Sequence, residues 1–92
     1  MPRDADQGAA LQALGRVIRE LRDAKGKTQA AIAEATGLTE QYIRKIERGK
    51  GNPSYLALQR IAAALGLDLQ RLAVLVRADR DAEGGPGPRD GK

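Results

Sequence analysis

Apolar residues recur at spacings of three and four along most of the chain, which is the period of amphipathic helices. The first stripe predicts a helix over residues 9–25, which ends at Gly26. Two later stripes predict helices over 55–65, capped by Ser54, and over 69–77. The pattern therefore favours an all-α protein of short helices that are connected locally.

Two further helices are predicted between residues 28 and 49, where the sequence reads TQAAIAEATGLTEQYIRKIERG. The first would begin after Thr28 and the second after Thr39, because threonine oxygens accept hydrogen bonds from the free N–H groups of a helix start. Gly37 marks the turn between them, and Gly49 ends the second helix, predicted to include Arg48. Two short helices joined by a glycine-containing turn form the helix-turn-helix layout.

The ends of the chain differ from its middle in composition. Residues 1–8 are polar and are expected to form a flexible N-terminal segment. Residues 78–92 are rich in glycine and proline, as is typical of a disordered tail. A chain of 92 residues suffices for one small domain, so residues 9–77 are expected to form a single helix-turn-helix domain.

The last predicted helix carries more apolar residues than one face requires. An exposed apolar helix face on a small domain is typical of a dimer surface. The residues predicted to form a dimer interface are Leu69, Leu72, Leu75 and Val76. A monomer that packs this helix against its own core is the alternative.

Composition argues against most enzyme and metal chemistry. The chain contains no cysteine and no histidine, so the usual thiolate and imidazole ligands and the usual general base are missing. Gly26-Lys27-Thr28 imitates the end of a phosphate-binding P-loop, but Leu21 stands where the motif requires glycine. No catalytic residue, metal or cofactor is therefore predicted. No apolar run is long enough to span a membrane, so a cytoplasmic protein is expected.

Positive charge is concentrated in the part of the chain predicted to fold. The whole chain carries a formal charge of +4, whereas residues 11–77 contain twelve Lys and Arg against six Asp and Glu. A basic domain suits a polyanionic partner such as nucleic acid. Charge that only keeps the surface soluble is the alternative.

The second helix of the helix-turn-helix has two different sides. At about 100° per residue, Ile43, Ile46 and Glu47 fall on the inward side. The opposite side presents Gln41, Arg44, Lys45 and Arg48, with Thr39 and Glu40 at the leading end. Long donor side chains of this kind can reach base edges in the major groove. An ordinary solvated helix face is the alternative.

From about Leu14 to Leu72 the sequence resembles the lambda-repressor-like, or Xre-type, helix-turn-helix regulators of bacteria and phages. The resemblance lies in Arg22 on the first helix, in TQAAIAEATGL, in Ile43 and Ile46, and in IERGKGNPS and LQRIAAALGL. It implies a compact five-helix DNA-binding domain. It further implies a cytoplasmic, nucleoid-associated homodimer that reads a pseudo-palindromic operator through the major groove, most simply as a repressor.

The resemblance also implies roles for individual residues. The residues expected to meet bases are Thr39, Glu40, Gln41, Arg44 and Lys45. The residues expected to meet DNA phosphates are Gln29, Tyr42, Arg48, Lys50 and Asn52. Gln29 would also brace the recognition helix, and Arg22 and Glu47 would form a partly buried ion pair. Glu40 departs from the pattern, because its negative charge suits cytosine reading or exclusion of other bases better than a phosphate contact. Tyr42 could equally pack over the turn.

Compact members of related families suggest a second reading. The chain could be a DNA-binding antitoxin that holds a protein partner, or a controller protein of a restriction–modification system. In the second case it could activate transcription through a contact with RNA polymerase.

Overall fold

The computed structural model of the chain describes residues 4–84, and side chains between residues 7 and 82. These residues form five helices and no strand, which confirms the all-α prediction. In chain order the helices are α1 (Asp4–Ala24), α2 (Gln29–Thr36), α3 (Glu40–Glu47), α4 (Tyr55–Ala64) and α5 (Leu69–Gly84). Helix α1 packs against α3 and α5, α2 packs against α3 and α4, and α4 contacts α5.

The helix starts are fixed by the side chains that the sequence indicated. The Thr28 hydroxyl accepts a hydrogen bond from the backbone N–H of Ala31 at 3.0 Å. The Thr39 hydroxyl accepts one from the N–H of Tyr42 at 3.0 Å. Gly37 ends α2 in the left-handed conformation, with φ 75°. The helix-turn-helix therefore forms from local signals, as predicted.

Two predicted boundaries are wrong by several residues, and the predicted helix ends at residues 25, 48 and 65 each lie one residue too late. Helix α1 begins at Asp4, so residues 4–8, expected to be flexible, are helical. Helix α5 continues to Gly84, so the residues between Arg77 and Gly84, expected to be disordered, are helical too. The sequence offers a reason in each case, because residues 4–7 and 78–83 contain no glycine or proline. Residues 1–3 and 85–92 lie outside the described residues.

An ion pair explains why the end of α5 stays helical and docked. The Arg16 guanidinium on α1 lies 2.8 Å from the Asp79 carboxylate on α5, and Arg16 Nε donates to the same oxygen at 2.9 Å. Asp79 lies in the stretch of residues 78–92 that the sequence predicts to be a disordered tail. Its contact with α1 extends the packed domain beyond residue 77.

All five helices contribute aliphatic side chains to one core. The largest fully buried side chains are Ile18, Ile32, Ile43, Ile61, Leu65 and Leu72. Leu72 is only 1% exposed, so its assignment to a dimer interface is wrong: α5 turns this side chain toward α1 and α4. Leu69, Leu75 and Val76 are partly buried and also pack against the core. The monomer therefore uses much of the apolar surface of α5 itself.

Helix α1 crosses the end of α3 at backbone contact distance. A Cβ atom at Gly15 would lie 2.6 Å from the carbonyl oxygen of Ile46 and 2.7 Å from that of Glu47. A Cβ at Gly49, which has a φ of 76°, would lie 2.9 Å from Gln12 Cγ. No side chain larger than a hydrogen atom fits at Gly15 without separating the two helices.

The predicted pairing of Arg22 with Glu47 ties the same two helices together. Arg22 Nε donates to Glu47 Oε2 at 2.6 Å, and Arg22 Nη2 donates to Oε1 at 3.0 Å. The Glu47 side chain is only 4% exposed. Arg22 Nη1 also donates to the Lys27 carbonyl oxygen at 2.8 Å, just before α2. The hydrogen bond to Glu47 is the main cause that raises the pKa of the Arg22 guanidinium, with burial opposing it.

We expect Gly15→Ala to destabilise the domain by about 1–3 kcal/mol or more, since the new methyl group meets two backbone carbonyls that cannot move aside. Thermal unfolding measures the change. Gly8→Ala is the matched control, because Gly8 lies on the same helix with open space around its Cβ position. That variant should be stabilised by up to about 1 kcal/mol through helix propensity. Equal melting temperatures for the two variants would contradict the close crossing.

We expect Arg22→Ala and Glu47→Ala each to cost about 3–5 kcal/mol, because either change leaves a buried charge without its partner. The double variant should cost less than the sum of the two, since no unpaired charge then remains. Denaturant unfolding of the four proteins measures this coupling. Asp23→Ala, at an exposed carboxylate, should be nearly neutral. A Glu47→Ala protein that keeps its melting temperature but changes its DNA preference would refute the structural assignment.

Candidate nucleic-acid interface

Helix α3 divides into a buried side and an exposed side, as the helical angles predicted. Ile43 is fully buried, Ile46 nearly so, and the Glu47 carboxylate points inward. The residues turned outward are Gln41, Lys45 and Arg48, which are exposed, and Arg44, which is partly exposed. Thr39 and Glu40 are exposed at the leading end. The exposed side is therefore free to meet a ligand while the buried side holds the helix in place.

A cleft runs along each flank of this exposed side. The first has a volume of about 550 Å³ and lies between α1, α2 and α3. Its lining residues are Arg19, Arg22, Lys27, Thr28, Gln29, Glu40, Arg44, Glu47 and Arg48. Five of the nine are basic, and one of the two acids, Glu47, is neutralised by Arg22. The cleft is therefore electropositive and suits a polyanion.

The second cleft has a volume of about 520 Å³ and lies on the other flank of α3. Its lining residues are Thr39, Gln41, Tyr42, Arg44, Lys45, Arg48 and Lys50. Four of these seven are basic and none is acidic. Because Arg44 and Arg48 line both clefts, the ridge between the clefts is itself cationic.

Gln29 sits at the start of α2 and is held by the buried ion pair. Its Nε2 donates to Glu47 Oε1 at 3.0 Å, so this side chain braces the end of α3 in addition to lining the first cleft. The amide nitrogen carries a second hydrogen for another acceptor. As the first residue of α2, Gln29 also has a backbone N–H without an intrahelical acceptor. Both groups suit an anion in the cleft.

The remaining phosphate candidates lie on α3 and in the loop that follows it. Tyr42 is half-buried, and its hydroxyl accepts a hydrogen bond from the backbone N–H of Ser54 at 3.4 Å. Tyr42 thus packs over the loop and lines the second cleft at the same time. Lys50 is exposed, and its backbone N–H bonds to the Lys45 carbonyl at 3.0 Å. Asn52 is exposed but lines neither cleft.

Sequence reasoning missed two basic residues beside the first cleft. Arg19 precedes Arg22 by one helical turn, and that spacing is the signal that could have placed it on the same face of α1. Lys27 follows α1 in the connection to α2 and lines the cleft as well. Its Nζ lies 3.5 Å from the Ala64 carbonyl oxygen at the end of α4, where a cation complements the helix dipole.

The part of the chain that the structure describes holds neither a metal-binding cluster nor a membrane-spanning helix. No group of three or more acidic, histidine or cysteine side chains there could hold a metal ion. No helix among residues 4–84 is long and apolar enough to cross a membrane.

Comparisons with known proteins agree with this geometry. The family model described as Helix-turn-helix matches residues 18–72, which is more than half of the chain. Over 50 residues the chain is 46% identical to an uncharacterized HTH-type transcriptional regulator of Methanothermobacter thermautotrophicus, covering 54% of this chain and 72% of that one. Over 59 residues it is 34% identical to the immunity repressor protein of Bacillus phage phi105, covering 64% of this chain but only 41% of the repressor.

A solved structure extends the likeness to three dimensions. The restriction–modification controller protein C.AhdI from Aeromonas hydrophila matches this fold with a TM-score of 0.65 and 37% sequence identity. The match covers 67% of this chain and 94% of the controller. The chain therefore belongs to the lambda-repressor-like helix-turn-helix family of DNA-binding transcriptional regulators, and its relatives are regulators rather than enzymes.

Proposed function

We propose that the protein is a sequence-specific regulator that binds double-stranded DNA as a homodimer and represses transcription by occupying a promoter in the bacterial or phage-infected cytoplasm. One observation carries the proposal: α3 exposes Arg44 and Arg48 on the ridge between two cationic clefts, with Gln41 and Lys45 beside them in the second cleft. A ridge of donors matches the major groove, and clefts on either side match the two phosphate strands that border it.

Each side chain takes a role that follows from its position. Thr39, Gln41, Arg44 and Lys45 face base edges, and Glu40 stands at the end of α3 that enters the groove first. Gln29 holds a phosphate at the start of α2, since Glu47 fixes its side chain. The remaining residues that contact the DNA phosphates are Tyr42, Arg48, Lys50 and Asn52. Phosphate contacts fix the register of the protein on the duplex, so that the base contacts can discriminate.

A homodimer would place two copies of α3 in successive major grooves about 34 Å apart, on a pseudo-palindrome. Apolar surface for such an interface is exposed even though Leu72 is buried. Val74 on α5 is 52% exposed, and Tyr55 and Leu56 at the start of α4 are exposed by more than half. Large apolar side chains in water favour association. Leu69, Leu75 and Val76 on the same helix are only partly buried, so the exposed part of each is available to the proposed surface.

A second candidate function is that of a restriction–modification controller or an antitoxin that also contacts a protein partner, such as RNA polymerase. The match to 94% of a controller protein favours it, because few residues of that protein lack a counterpart here. Repression is favoured by the phage immunity repressor, which matches over 59 residues. In transcription assays on a bound promoter, a repressor lowers the output, whereas a controller that recruits polymerase raises it.

Selection of bound fragments from random double-stranded DNA tests the proposed function directly. The bound pool should converge on two inverted half-sites whose centres lie about one helical turn apart. A single unrepeated motif would overturn the homodimer, and a pool without any shared motif would overturn sequence-specific binding.

Binding should weaken steeply as salt rises, because Lys and Arg contacts to phosphate release condensed counterions. Arg48→Gln should lower the slope of log K against log salt by about one for each half-site contacted. Arg71→Gln is the matched control, since Arg71 is exposed on α5 and lines neither cleft. Binding titrations across a salt series measure both slopes. A flat salt response of the wild-type protein would contradict DNA binding through this face.

Gln41→Ala and Lys45→Ala should each relax the preference at particular base pairs, at a cost of about 1–3 kcal/mol on the selected site. Binding to single-base variants of that site measures the change. Gln70→Ala, at an exposed position of α5, should leave every preference intact. Equal weakening on all sequences would identify Gln41 and Lys45 as phosphate contacts instead.

A further inference from the structure

Glu40 is the one acidic side chain on the exposed side of α3, and it is paired with a basic residue of that side. Its Oε2 lies 3.4 Å from Arg44 Nη2, one helical turn further along. Both side chains remain about half exposed. Within residues 7–82, Arg48 forms no ion pair, so Arg44 is the arginine of the ridge whose guanidinium is already paired.

The position of Arg44 gives it a choice of DNA acceptors. It lines both clefts, so a free guanidinium there could turn toward a phosphate on either strand or toward the base edges between them. Phosphate carries a full charge and would compete strongly with a base for an arginine. An arginine that turned to phosphate would add affinity without any information about sequence.

A carboxylate beside Arg44 changes that competition. Glu40 repels phosphate oxygens, so positions of Arg44 that bring the pair close to the backbone become unfavourable. The pair is weak in water, but it strengthens when DNA covers α3 and excludes solvent. With one edge of its guanidinium held by Glu40, Arg44 keeps other N–H donors for the O6 and N7 acceptors of guanine.

We propose that Glu40 is a positioning residue that sets specificity through Arg44: it holds the guanidinium against guanine and away from phosphate. The inference rests on the proposed DNA-binding function and assigns a mechanism to one base pair of each half-site. Glu40 therefore lowers the overall affinity for DNA and raises the preference for guanine at that base pair. Direct reading of cytosine N4 by the Glu40 carboxylate is the competing role.

The test uses the selected site, all its single-base variants and a non-specific duplex. Wild-type protein, Glu40→Gln, Arg44→Ala and the double variant are compared by equilibrium binding at several salt concentrations. We expect Glu40→Gln to lose about fivefold or more of the preference for guanine at one base pair. It should also bind non-specific DNA more tightly, with a steeper salt dependence, because Arg44 then reaches phosphate. In the Arg44→Ala background, Glu40→Gln should no longer change the preference at that base pair.

Glu34→Gln removes the same charge from an exposed position of α2 outside both clefts and is the matched control. If Glu40→Gln, like Glu34→Gln, changes the affinity for all DNA sequences by the same factor, the proposal is overturned. It is equally overturned if Glu40→Gln changes the preference in the Arg44→Ala background, since Glu40 then reads the base itself. A wild-type protein that discriminates no base pair would instead refute the proposed function. Melting temperatures of the exposed-residue variants should match that of the wild type, so that changes in binding do not reflect unfolding.

Discussion

The backbone contact between α1 and the last turn of α3 is the constraint on which the rest of the structure depends. Gly15 lets the two helices touch at the Ile46 and Glu47 carbonyls. Because the helices are this close, Arg22, two turns further along α1, reaches the Glu47 carboxylate and donates two hydrogen bonds to it. A carboxylate this buried is tolerable only with several donors around it. Gln29 is one of those donors, so the same contact that orients α3 also orients the start of α2.

The residues of α3 that hold the fold and the residues proposed to read DNA lie on opposite sides of this short helix. The inward side of α3 is committed to packing and to the buried ion pair, and a change there acts on α1 and α2, which pack against it. The outward side contributes little to the core, because Gln41 and Lys45 are exposed. Gln41 and Lys45 can therefore be exchanged at small cost in free energy of folding, whereas Glu47 cannot, although it lies only two residues from Lys45.

Local sequence signals predicted the features of the fold that depend only on neighbouring residues. Caps such as Thr39 place a helix start whatever the tertiary fold, and helical angles sort α3 into its two sides. The contact of Arg16 with Asp79 joins residues 63 positions apart, so the residues near Asp79 permit a helix but do not reveal that it docks on α1. Leu72 lies on a helix with several apolar faces, and only the arrangement of α1 and α4 decides which face is covered. The glycine at position 15 was a readable signal, because glycine within a helix is costly unless close packing requires it.

The length of α3 limits how much sequence information one copy of the protein can extract. A helix of eight residues is about 12 Å long, and with the groove's rise of about 3.4 Å per base pair it spans only about four base pairs. A word of that length recurs by chance about once in every few hundred positions, whereas a genome offers about a million or more competing sites. In the proposed homodimer, two copies that read one site would square that selectivity. For a domain built on so short a helix, a symmetric target would supply sequence information that one copy cannot extract.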